Sequence, residues 1–221
     1  LNYVTTVLQA RTRGMTLMRM PLSIWGIFTA TVLGLLAFPA LLVSAIMMLL
    51  DKVAGTSFFM PALVSLGETL EYSGGSPVLF QHLFWFLGHP EVYVLILPAL
   101  GIVAEVIANA TRKPLWGYRA MVGAALFMGS MSFLVWAHHM FLTGMGSTLS
   151  SFFQVTTMII SIPSVIIVTA LLLSLYGGSI RFTVPALFAL AFLPMFGLGG
   201  LTGLPLGLAA ALRLLADDGA D

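Results

Sequence analysis

The sequence predicts an all-α, polytopic membrane helix bundle, and three observations lead there. Hydrophobic residues fill 59% of the 221 positions and charged residues only 8%, where a soluble domain carries about 25% charged. The mean hydropathy is +1.05. Five apolar runs are each long enough to cross roughly 30 Å of hydrocarbon. Eight acidic and nine basic side chains cannot solvate a water-soluble globule of this length. A soluble enzyme, a disordered chain and a nucleic-acid binder are thereby excluded. The absence of Cys excludes a disulfide framework and thiolate metal sites.

The runs follow one another with short polar connections, and one helical domain over 1–221 is the simplest account. The first, about 24–50, has no charge. The second, about 78–110, contains Glu91 and Glu105. The third, about 118–145, contains His138 and His139. The fourth, about 151–176, is again uncharged, and the fifth, about 184–212, is rich in Gly and Pro. None alternates as a strand would. Gly and Pro inside the fourth and fifth are compatible with membrane helices, where neighbouring helices satisfy the freed backbone groups. The longest connection ends in the turn signal Gly74-Gly75-Ser76-Pro77. Arg11, Arg13 and Arg19 flank the first run, Arg112 and Lys113 follow the second, and Arg181 follows the fourth. This alternation predicts five transmembrane helices with the N-terminus, second loop and fourth loop on the cytoplasmic or matrix side. No signal-peptide pattern opens the chain, and its start at Leu1 reads as processed or as a piece of something longer.

Ionisable groups inside a span are costly unless paired, which makes His89, Glu91, Glu105, His138 and His139 candidate functional residues. His89 lies about 11 residues into the second run, roughly 16 Å deep. His138 and His139 lie six or seven residues from the far end of the third, roughly 10 Å deep. Adjacent antiparallel helices would bring the three imidazoles together in one half of the membrane. Such a set suits copper, zinc or non-haem iron. Tyr93 is one turn beyond His89 on the same face. Its phenol can supply a proton and an electron there. Glu91 points about 200° round the helix from the ring at 91−2, too far to share its metal. A carboxyl beside a metal site and facing away from it suits proton relay. Glu105, near the cytoplasmic end, is either a relay entrance or a residue reaching toward Arg112 or Lys113. His82, at the outer start of the second run, is not counted as a ligand. Thr157, Ser161 and Ser164 share a face of the fourth helix. They are either a hydroxyl route for protons or packing residues.

These residues resemble a known family. Leu83-Phe84-Trp85-Phe86-Leu87-Gly88-His89-Pro90-Glu91-Val92-Tyr93 is similar to the sixth-helix signature of subunit I of haem–copper terminal oxidases. Val135-Trp136-Ala137-His138-His139-Met140 is similar to the seventh-helix signature. Thr157-Met158-Ile159-Ile160 with Ile162-Pro163 resembles the eighth helix, Gly199-Gly200-Leu201-Thr202-Gly203 the ninth, and Pro21-Leu22 with Trp25 the start of the fifth. Arg112-Lys113-Pro114-Leu115-Trp116-Gly117-Tyr118 resembles bacterial forms of the connecting loop. The resemblance implies five helices of a twelve-helix fold. It implies that His89, His138 and His139 bind copper B, that Tyr93 is cross-linked to His89, and that Glu91 passes protons to the catalytic site and the pump. The implied reaction is reduction of O₂ to water with proton translocation, fed by cytochrome c or quinol, in a bacterial plasma membrane or mitochondrial inner membrane.

Three departures bear on that expectation. The family holds its high-spin and low-spin haems through histidines on other helices, and only four His occur here. No haem axial ligand is therefore expected on this chain. The haems, and an active enzyme, would need other oxidase subunits or the rest of subunit I. The eighth helix carries Ile167 where the family has the lysine of its second proton path, and Ala104 stands where a serine of that path is usual. Beyond Ala210 the expected His-Asp-Thr-Tyr-Tyr stretch is replaced by a polar end, which reads as truncation or as a split subunit. A truncated or degenerate membrane subunit with a structural or assembly role is the alternative function.

Overall fold

The computed structural model describes residues 1–59, 64–65, 68–69 and 75–217, with the backbone alone at 64–65, 68–69, 206 and 209–217. Among the described residues there are six α-helices: α1 (Asn2–Gln9), α2 (Leu22–Val53), α3 (Pro77–Thr111), α4 (Tyr118–Met131), α5 (Ser147–Leu175) and α6 (Val184–Asp217). Five segments among the described residues have the length and hydropathy to cross a membrane: Leu22–Val53, Pro77–Thr111, Tyr118–Thr143, Ser147–Leu175 and Val184–Pro205. The five expected spans are all found. Short α1 was not anticipated, because eight residues make too brief a periodic signal. Between α2 and α3 a two-residue antiparallel ladder pairs Val64 with Thr69 and Ser65 with Glu68. Gly74 of the expected turn lies outside the described residues. Ser76 of the same turn caps α3, accepting from Val78 N–H at 3.2 Å, and Pro77 opens the helix.

The α2–α3 pair is the closest packed. A Cβ on Gly26 would lie 2.4 Å from the Leu97 carbonyl oxygen, and one on Gly101 would lie 2.5 Å from Ser23 Cα. Only a hydrogen at each position lets the two backbones approach this closely. Leu97, Leu100 and Ile107 of α3 then join Trp25, Leu33, Met121, Met128, Ile167 and Leu171 in the main core.

The third span differs from its expected form. It is α-helical only to Met131 and continues as 3₁₀ turns over Ser132–Leu134 and Trp136–Thr143, with Val135 (φ −126°) and Met140 (φ −125°) outside helical geometry. Ser130 Oγ donates to Leu126 O and Ser132 Oγ to Gly129 O, back-bonds of the kind that bend helices. The segment ends on Gly144 at φ +78°.

Contacts fix which loops share an end of the bundle. Tyr118 Oη donates to Met20 O, Arg181 N–H donates to Ala110 O, and Lys113 Nζ donates to Tyr176 O. The N-terminal flank and the second and fourth loops therefore lie together, the grouping that the basic residues predicted. Exposed Leu35, Leu36, Leu42, Leu95, Ile162 and Val165 leave an apolar perimeter suited to lipid or to other membrane helices.

Candidate metal centre

The centre lies where α3 meets the loosened end of the third span. His89 is buried in α3, while His138 is half-buried and His139 exposed in the 3₁₀ segment. One nitrogen from each ring falls within 4.8 Å of the others. His89 Nδ1 lies 3.1 Å from His139 Nε2, and His138 Nε2 lies 3.1 Å from the same atom. The three imidazoles that the depth argument placed in one half of the membrane do lie together.

Their partners assign which nitrogens face inward. Thr157 Oγ1 donates to Phe153 O at 2.6 Å, which leaves its lone pair to accept from His138 Nδ1–H at 2.8 Å. His138 Nε2 is then unprotonated and faces the other rings. Converging nitrogen lone pairs repel unless a proton or cation sits among them. An imidazole nitrogen usually sits about 2.0–2.1 Å from a bound metal, and three nitrogens within 4.8 Å of one another converge on one such site. The donor set therefore fits a metal bound by neutral imidazoles.

Aromatic rings frame the set. Trp85 stacks on His139 with centroids 3.8 Å apart and planes within 6°. Trp136 packs edge-on against Phe86 and Phe153. Its Nε1–H donates to His82 Nδ1 at 3.3 Å. His82 is thus a packing residue outside the centre, as expected. Sequence reasoning quoted Trp85 within the sixth-helix motif and gave it no place at the site. Its signal was available, since residue 85 is one turn before His89 on the same face.

The remaining candidates separate into two groups. Tyr93 lies against His89, ring centroids 4.8 Å apart. His89 Nε2 is buried without a hydrogen-bond partner among the described residues, as is Glu91 Oε2. The others lie away from the nitrogens. Ser161 Oγ is turned back onto Met158 O, and Ser164 is half-buried. Glu105 does not reach Arg112 or Lys113. It accepts from Ser23 N–H at 3.4 Å and Ser23 Oγ–H at 3.3 Å. Pro21, the N-cap of α2, makes no side-chain cap. A carboxylate from α3 supplies one instead, at the positive end of the α2 dipole. Ile167 is 2% exposed and packs in the main core.

The family described as Cytochrome C and Quinol oxidase polypeptide I matches residues 1–217. The chain belongs to this family. It is 61% identical over 207 residues to the alternative cytochrome c oxidase subunit 1 of Bradyrhizobium diazoefficiens, covering 94% of this chain and 35% of that protein. It is 46% identical over 211 residues to the cytochrome c oxidase subunit 1 of Bacillus subtilis, covering 96% of this chain and 32% of the relative. It shares the same identity with the quinol oxidase subunit 1 of that organism, covering 96% and 31%. The chain spans about a third of the length of each, so it is similar to part of an oxidase subunit I. The two Bacillus subtilis relatives, one named for each donor, match it at the same 46% identity.

Proposed function

We propose that this chain supplies the copper-binding part of a respiratory haem–copper oxidase, which reduces O₂ to water with coupled proton translocation. The convergence of His89 Nδ1, His138 Nε2 and His139 Nε2 in a chain of this family carries the reading. A copper ion held by these three imidazoles would supply one-electron chemistry to O₂, and the ligand group among the described residues contains no carboxylate. The chain's own residues orient and protonate around it. Thr157 keeps the proton of His138 on Nδ1 and so keeps Nε2 available. Tyr93, against His89, holds a phenolic proton and an electron within reach of the centre. The partnerless, buried His89 Nε2 favours the cross-link to Tyr93, which replaces one N–H and one ring C–H by an N–C bond, their hydrogens and electrons passing to O₂. Glu91, half-buried with Oε2 unpartnered among the described residues, is the relay that passes protons toward the centre.

The haems do not fit this chain. Three of the four histidines point at the metal centre, and the fourth, His82, uses Nδ1 to accept from Trp136. Haem ligands then come from other oxidase chains or the rest of subunit I. We place the basic end of the bundle on the cytoplasmic side of a bacterial plasma membrane, following the distribution of Arg and Lys.

Metal analysis of the detergent-purified complex containing this chain tests the reading. Copper should accompany the wild type and be lost from His89→Ala, His138→Ala and His139→Ala alike. Glu91→Gln should keep its copper and lose oxygen consumption. Full copper occupancy in His138→Ala overturns the assignment.

A further inference from the structure

The three imidazoles are not held alike. His89 is enclosed by its surroundings, at 4% exposure. His138 has a hydrogen-bonded anchor in Thr157. His139 has neither, since it is exposed and its Nδ1 makes no hydrogen bond among the described residues. Its orientation rests on a face-to-face stack with Trp85, 3.8 Å between centroids and 6° between planes. Its contacts with the other two imidazoles are tilted by 47° and 54° and fix no plane.

The indole is itself immobilised. Phe84 meets it edge-on at 5.2 Å, and it packs on the small cluster of Ala137, Met140 and Phe153. It lies forward along α3 over Gly88, nearly one turn on from its own position. A Cβ at Gly88 would sit 2.7 Å from Trp85 Cε3 and 3.1 Å from Cζ3. A residue with any side chain at 88 would therefore displace the ring from His139.

We propose that Trp85 is a positioning residue for His139: its indole face, lodged in the space Gly88 leaves open, sets the plane of this imidazole and aims Nε2 at the other two ligand nitrogens. The inference deepens the copper reading and rests on it. An exposed imidazole without this plane samples other rotamers, and the metal then has to reorder it on binding. Partners that orient a ligand from behind typically account for about 10- to 100-fold in metal affinity. Stacking requires a flat ring and not apolar bulk alone, which separates this role from simple packing.

The test uses the intact, detergent-purified complex, with copper as the probe and a chelator series to measure affinity. Copper-edge X-ray absorption reports the number of imidazole ligands. Trp85→Leu should weaken copper binding about 10- to 100-fold and lower the imidazole count below that of the wild type. Trp85→Phe should restore most of the affinity, and Gly88→Ala should weaken binding although the indole is still present. Gly88→Ala also decides the matter should Trp85→Leu fail to assemble. Wild-type affinity and an unchanged imidazole count in Trp85→Leu overturn the proposal. So does Trp85→Phe falling as far as Trp85→Leu, since bulk alone would then be responsible. A wild-type complex that takes up no copper overturns the proposed function itself, a result distinct from either.

Discussion

Replacing Thr157 by Val removes one hydroxyl and little volume, so it isolates the hydrogen bond that orders His138. The bond is 2.8 Å long, and the hydroxyl proton is committed to Phe153 O at 2.6 Å. Without the hydroxyl the half-buried Nδ1–H has no partner, a loss of about 1–3 kcal/mol for that tautomer. The proton then distributes between the two ring nitrogens, and a ring protonated at Nε2 cannot ligate. At about 1.4 kcal/mol per factor of ten, copper affinity should fall roughly tenfold, and Thr157→Ser should recover it. Chelator competition on the purified complex measures the affinity, and oxygen consumption at saturating copper measures turnover. Unchanged affinity with slowed turnover would refute the reasoning. It would return Thr157 to the role of a proton-carrying hydroxyl that its place on the polar face of α5 also allows.

Four further outcomes are expected. Gly101→Ala forces a methyl against the Ser23 backbone and should cost about 1–3 kcal/mol in thermal unfolding of the complex in detergent. Glu105→Ala removes the cap on α2 and should cost about 0.5–2 kcal/mol, with Glu105→Gln intermediate and copper content unchanged in both. Ile167→Lys places an amine at a site 2% exposed in an apolar core, and its unfolding temperature should drop sharply without any gain in the rate of active-site reduction. Copper at a hundred times its Kd should stabilise the complex by about 2.7 kcal/mol over the metal-free form, and chelation should reverse this.

What the sequence disclosed was whatever depends on length, period and depth along one chain. Five apolar runs became five membrane-length helical segments, because in hydrocarbon a backbone has to satisfy its own hydrogen bonds. His89 and the 138–139 pair met because antiparallel neighbours of known length leave little freedom in depth. The finer features were set between elements, where one chain's periodicity is silent. Glu105 was read as a relay entrance or as reaching toward Arg112 or Lys113, yet it bonds Ser23, 82 residues away. That choice follows from the Gly26 and Gly101 contacts, which bring the start of α2 under the end of α3. The 3₁₀ end of the third span was read as plain helix, since its residues satisfy a helical period equally well. The consequence for chemistry lies there. A ligand pair on a loosened segment needs orientation from outside its own backbone. The two elements packed beside it each provide that, Thr157 from α5 for His138 and Trp85 from α3 for His139. On this argument, substitutions at residues 85 and 157 should each weaken copper binding and be non-additive together in a double-mutant cycle, because the two rings they orient touch at 3.1 Å and serve one metal.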